Sequence, residues 1–91
     1  MVKKLNEVKE NINFHDNDYY YDIVRYNIRK YRKMADYTQA ELAELIDTST
    51  QYLCRIETGN PKKYFNIGLL GRIADALEID IKEFFEEPKK K

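Results

Sequence analysis

The sequence predicts an all-α domain of five short helices. Three observations carry that expectation: apolar residues recur at spacings of three and four from Tyr19 onward, helix start and stop residues punctuate them, and no alternating run of strand length appears. With 91 residues and 43% apolar content, the chain is long enough for one modest core and too short for a second catalytic domain.

The first helix opens near Tyr19. Tyr20, Ile23, Val24, Asn27, Ile28, Tyr31 and Ala35 share one side, and Arg25, Arg29, Arg32 and Lys33 share another. Asp18 is placed to accept from its free N–H groups, and Asp22 suits the first turn. Asp36-Tyr37 breaks the pattern. Thr38-Gln39-Ala40-Glu41 is then a Thr-x-x-Glu capping box that starts a short second helix, with Leu42, Ala43, Leu45 and Ile46 on its apolar side. Asp47-Thr48-Ser49-Thr50 is a turn, and Thr48 or Ser49 caps a third helix whose inward residues are Leu53 and Ile56. Gly59-Asn60-Pro61 stops it. Ile67, Leu70, Ile73, Ala74 and Leu77 mark a fourth helix. Ile81, Phe84 and Phe85 mark a fifth, ended by Pro88.

Residues 1–18 read either as a loose arm or as a helix whose face of Val2, Leu5, Val8 and Ile12 extends a dimer. Residues 19–87 form the folded domain, and 88–91 a basic, solvated tail.

Several functions are excluded early. No apolar run approaches the roughly 20 residues that span a bilayer, and the lysines near the N-terminus precede no apolar stretch of the kind a secretory signal has. A single cysteine and a single histidine provide neither a disulfide nor a Cys/His metal cluster. The expectation is a cytoplasmic protein without metal, cofactor or membrane partner, and not an enzyme.

The 16 basic and 16 acidic residues cancel overall but not locally. Residues 23–37 carry a net +4 and residues 60–72 a net +3, whereas both ends and residues 38–47 are acidic. The two basic segments bracket Gln39–Thr58, two short helices joined by a tight turn. In such a pair the second helix can project into a major groove about 12 Å wide, and the close crossing needs a small residue, here Ala43. Thr50, Gln51, Tyr52, Cys54, Arg55 and Thr58 are left facing outward.

The strings Tyr37-Thr38-Gln39-Ala40-Glu41-Leu42-Ala43-Glu44-Leu45-Ile46, Ser49-Thr50-Gln51-Tyr52-Leu53-Cys54-Arg55-Ile56-Glu57-Thr58-Gly59-Asn60 and Leu70-Gly71-Arg72-Ile73-Ala74-Asp75-Ala76-Leu77-Glu78-Ile79, followed by Phe84-Phe85, together resemble the lambda-repressor-like, or Cro/Xre, helix-turn-helix proteins. The resemblance covers about residues 23–87. It implies a five-helix domain with an N-terminal extension and, as function, a dimeric repressor that reads a palindromic site in double-stranded DNA.

Residue by residue, the resemblance implies base contacts from Thr50, Gln51 and Arg55, where Gln can pair with adenine and Arg with guanine. It implies phosphate contacts from Gln39, Tyr52, Asn60, Lys62 and Lys63. Arg32 and Glu57 match a pair that bridges the first and third helices. Ile81, Phe84 and Phe85 are dimer candidates, since adjacent phenylalanines on a helix cannot both face one core. The chain departs from the pattern at Asp47, where glycine is usual, at Cys54, and in its first 22 residues, which have no counterpart in the minimal domain.

Plainer readings hold elsewhere. Cys54 is a small half-buried filler, His15 an exposed loop residue, and Glu86-Glu87 a solvated helix end. Of Tyr19, Tyr20, Tyr21, Tyr26 and Tyr31, most pack against the core or a partner chain. The balanced charge and the N-terminal segment also fit a second use of the fold, as an adaptor or antitoxin-like module binding a protein partner.

Overall fold

The computed structural model describes residues 12–60 and 64–88. Among these residues it contains no strand. Four α-helices follow in order, α1 (Tyr19–Met34), α2 (Gln39–Leu45), α3 (Thr50–Thr58) and α4 (Ile67–Leu77), and then a 3-10 segment, Ile81–Phe85. The expected fifth helix is therefore a single 3-10 turn. Asp80 starts it by accepting from the Lys82 amide at 3.0 Å, and the Phe84 and Glu86 carbonyls near its end are taken by the Asn27 side chain at 2.8 Å each. These bonds fasten the two ends of the segment.

The core gathers one side of every element. Val24 and Ile28 of α1 meet Leu42, Ala43 and Ile46, then Leu53 and Ile56 of α3, then Leu69, Leu70, Ile73, Ala74 and Leu77 of α4, and Phe84 closes the group. The apolar spacing overshoots at Tyr20, Ala35, Leu45 and Ile67, which are exposed. Each lies in the first or last turn of its helix or just beyond it, where the neighbouring helices no longer cover it. Tyr26 is exposed too, so of the five α1-region tyrosines only Tyr19, Tyr21 and Tyr31 are half-buried. Phe84 is fully buried and Phe85 is exposed, which removes Phe84 from the surface.

The helix ends follow local chemistry. Thr38 and Glu41 close the capping box, the Glu41 amide donating to Thr38 Oγ1 at 3.0 Å and the Thr38 amide to Glu41 Oε1 at 2.9 Å. Ser49 and Asn66 cap α3 and α4. Asp18 does not cap α1. Its backbone is already helical, at φ −91° and ψ −8°, and its carboxylate accepts from the Tyr64 hydroxyl instead.

Three helices end on an acidic residue in the left-handed region: Asp36 at φ 68°, Asp47 at 61° and Glu78 at 59°. In each case the next amide reaches back five residues, Tyr37 to Arg32, Thr48 to Ala43 and Ile79 to Ala74. Each is a Schellman closure of the kind glycine usually makes.

Candidate nucleic-acid interface

The α2–α3 pair is set by a turn and by a buried charge. After Ile46, Asp47 adopts its left-handed conformation, and the Thr48 amide closes on the Ala43 carbonyl at 2.9 Å. The chain thus reverses within three residues. Ala43, 1% exposed, is buried in the core that the two helices share.

Beneath this corner, Arg32 of α1 donates to Glu57 of α3 through Nε at 2.7 Å and Nη2 at 3.0 Å, and its Nη1 donates to the Tyr37 carbonyl at 2.8 Å. Gln39, at the start of α2, donates from Nε2 to Glu57 Oε1 at 2.9 Å. One carboxylate therefore ties α1, α2 and α3 together, with every arm of the fork geometry used.

The charged side of α1 expected from sequence is divided by this packing. Arg29 and Lys33 are exposed, while Arg25 and Arg32 are buried at 5% and 7% exposure. Both buried arginines meet the last turn of α3, where helix carbonyls lack intrahelical partners and the macrodipole favours a cation. Arg25 donates from Nη1 to the Ile56 carbonyl at 3.1 Å and from Nε to Asp22 at 3.3 Å. Spacing alone placed Arg25 on the charged side of α1, and its acceptor is a backbone group 31 residues away that carries no sequence signal.

On α3, Leu53, Ile56 and Glu57 point inward. Thr50, Gln51 and Thr58 are exposed, and Cys54 and Arg55 are half-exposed on the same broad arc. Tyr52 is half-buried and packs against the core edge. The Thr58 hydroxyl donates to the Cys54 carbonyl at 2.9 Å, and Gly59, at φ 68°, ends the helix, its amide reaching the Arg55 carbonyl at 2.7 Å. Asn60 follows, exposed. Lys62 and Lys63 lie outside the described residues.

A projecting short helix, carried by a partner helix across a tight turn and locked from below, is a helix-turn-helix. A family model, HTH_3, described as helix-turn-helix, matches residues 28–84. The chain belongs to the HTH_3 family. No curated protein matches it in sequence.

Solved structures of similar fold include three regulators. The hypothetical transcription factor NHTF from Neisseria is 19% identical, with 85% of this chain and 86% of that one covered at a TM-score of 0.70. The restriction-modification controller protein C.AhdI from Aeromonas hydrophila is 24% identical over 78% of this chain and all of that one, at 0.71. The N-terminal DNA binding domain of SinR from Bacillus subtilis is 26% identical over 76% of this chain and 99% of that one, at 0.65.

The HTH_3 match takes in the last part of α1, all of α2, α3 and α4, and most of the 3-10 segment. Away from α2 and α3, the surface holds an open apolar groove between the start of α1, the start of α4 and the 3-10 segment. Tyr20, Tyr21, Phe65, Ile67 and Phe85 line it. Ile81 lies nearby in the chain but is half-buried against the core. Among the described residues no helix is long and apolar enough to cross a membrane, and no group of His, Cys, Asp and Glu could hold a metal ion.

Proposed function

We propose that this HTH_3 chain is a sequence-specific DNA-binding transcriptional regulator, a repressor that works as a homodimer on a palindromic site. The observation that carries the reading is the outer arc of α3. Thr50, Gln51 and Arg55 stand on it within reach of solvent, on a helix anchored by Arg32, Gln39 and Glu57. The similar SinR domain is described as DNA binding, which supports the same use here.

In this reading α3 enters the major groove, Gln51 and Arg55 read base edges, and Thr50 contacts the groove at the helix start. Tyr52, Asn60, Lys62 and Lys63 position the domain on the phosphates, together with Gln39 at the start of α2. Gln39 reaches that position already oriented, since Glu57 holds its amide group. The charge balance adds little long-range attraction, so base contacts carry much of the selectivity.

Two copies pair through the exposed apolar groove, with Phe85 and Ile67 at its edge and Tyr20 beside them, placing two α3 helices about 34 Å apart on one face of the duplex.

Selection from random oligonucleotides followed by sequencing tests the reading. The expected result is an enriched palindrome bound in the range of about 10⁻⁸ to 10⁻¹¹ M, with affinity falling steeply as salt rises. Unchanged binding in Gln51→Ala and Arg55→Ala would refute the assignment of α3. A stoichiometric protein partner without any enriched DNA would favour the adaptor use of the fold.

A further inference from the structure

The family match begins at Ile28, so the residues of α1 before it precede the matched segment. Their side chains converge on the chain that leaves α3. Arg25 donates to the Ile56 carbonyl at 3.1 Å, and its stem lies against Gly59, where an added Cβ would meet Arg25 Nε at 3.1 Å. The same guanidinium stands 5.9 Å from the centre of the Phe65 ring. Tyr21 meets Phe65 edge-on at 5.0 Å and Tyr64 at 4.5 Å between ring centres. Asp18 accepts from the Tyr64 hydroxyl at 2.8 Å. Both ends of the connection between α3 and α4 are thus fastened to one face of the first two turns of α1.

We propose that Arg25 is a positioning residue for DNA recognition. Together with Asp18 and Tyr21 it fixes the exit of α3 and the path of the chain at Gly59 and Asn60, and hence where Asn60 meets the phosphate backbone. The proposal rests on the DNA-binding reading above. An apolar side chain of similar volume would fill this space at lower desolvation cost. What the guanidinium adds is direction: one bond to a helix-end carbonyl, one to Asp22 at 3.3 Å, and the Phe65 ring 5.9 Å away, so that the end of α3 has a single seat on α1. Arg32 lies seven residues further along the same face of α1 and holds the same last turn through Glu57. Two grips, about two turns apart on α1, define an angle that one grip could not.

The test compares the wild type with Arg25→Met, Arg25→Lys and Tyr64→Phe. Arg25→Met keeps the packed stem and loses the carbonyl bond, and Arg25→Lys keeps one donor. Tyr64→Phe, at a ring 52% exposed, releases the far end of the path without touching the core. Affinity for the selected site is measured across a salt series, and amide hydrogen exchange is followed in the free proteins. Arg25→Met and Tyr64→Phe are expected to lose between about 2-fold and 30-fold in affinity, with a salt slope close to that of the wild type, because the phosphate contact that shifts comes from uncharged Asn60 and releases no counterion. Exchange at Gly59 and Asn60 should quicken while Ile28 and Ile73 keep their protection.

Arg25→Lys should retain more affinity than Arg25→Met. If Met serves as well as Lys, the residue only packs, and the proposal is overturned. It is equally overturned if folded Arg25→Met and Tyr64→Phe match the wild type in affinity. Should Arg25→Met fail to fold, Tyr64→Phe decides alone. A wild type that enriches no DNA removes the DNA-binding reading itself and this proposal with it, an outcome distinct from wild-type binding that the variants leave unaltered.

Discussion

Arg32 grips Glu57 with two parallel hydrogen bonds, 2.7 Å and 3.0 Å long, and the Glu57 side chain is fully buried. Breaking such a pair from one side leaves an uncompensated buried charge. Glu57→Ala should therefore destabilise the domain by about 3–5 kcal/mol, read from the midpoint of urea unfolding. Replacing both partners, as Arg32→Met with Glu57→Leu, should cost far less than either single change predicts. Additive losses in that double variant would show that the two residues act separately. The double variant should still bind DNA poorly, because Gln39 then loses the acceptor that orients it.

Asn27 is 2% exposed, yet its amide group donates twice, to the carbonyls of Phe84 and Glu86. It fastens the 3-10 segment to α1 and delivers Phe84 to the core. Asn27→Leu leaves both carbonyls without that donor and should cost about 1–3 kcal/mol for each group that stays unsatisfied. Asn27→Asp, which presents a carboxylate to two carbonyl oxygens, should cost more than Asn27→Leu. The reverse order in thermal unfolding would mean that volume matters at this site and hydrogen bonding does not.

Arg25 and Asn27 mark where the sequence becomes illegible. The Thr38 capping box and the stop at Gly59 were readable because each partner lies within four residues. The inward stripe of α3 was readable because Leu53 and Ile56 repeat at helical spacing. Arg25 and Asn27 bond to carbonyls 31 and 57 or more residues away, and a backbone acceptor has no residue type to betray it. Periodicity therefore put Arg25 on the charged side of α1 and left Asn27 on the inner face without a task. The exposed Ile67 and Leu45 show the opposite error, since a stripe extends past the point where a neighbouring helix stops covering it. The Phe84-Phe85 pair was legible only as a choice, and the Asn27 bonds decide it. What Thr50, Gln51 and Arg55 touch depends on a molecule outside the chain, which periodicity cannot supply.

Glu78 ends α4 in the left-handed region, at φ 59°, where a residue with a Cβ is strained and its long side chain makes no local backbone bond of the Asn or Asp type. Glu78→Gly should stabilise the domain by about 1 kcal/mol, visible as a raised melting temperature. Asp47→Gly should gain less, because aspartate tolerates this region better. At Gly59 the same logic runs backwards: Gly59→Ala meets the left-handed penalty and the Arg25 side chain at 3.1 Å together. A loss of about 1–2 kcal/mol is expected there, and a neutral result would mean that Arg25 yields freely.

Tyr31 donates its hydroxyl proton to Glu83 at 3.2 Å. Burial, then the hydrogen bond to Glu83 and the negative charges of Glu83 and Glu86, raise its pKa above the usual 10.0. The native state thus holds this proton more tightly than the unfolded chain does. The resulting stability is complete below the unfolded pKa and is lost as pH climbs from there through the higher folded value. Tyr31→Phe removes the titrating group, so the stability gap between wild type and variant should stay constant up to about pH 10 and shrink above it. Urea midpoints at about pH 8 and about pH 11 measure that gap, and a gap that widens at the higher pH would reverse the sign argued here.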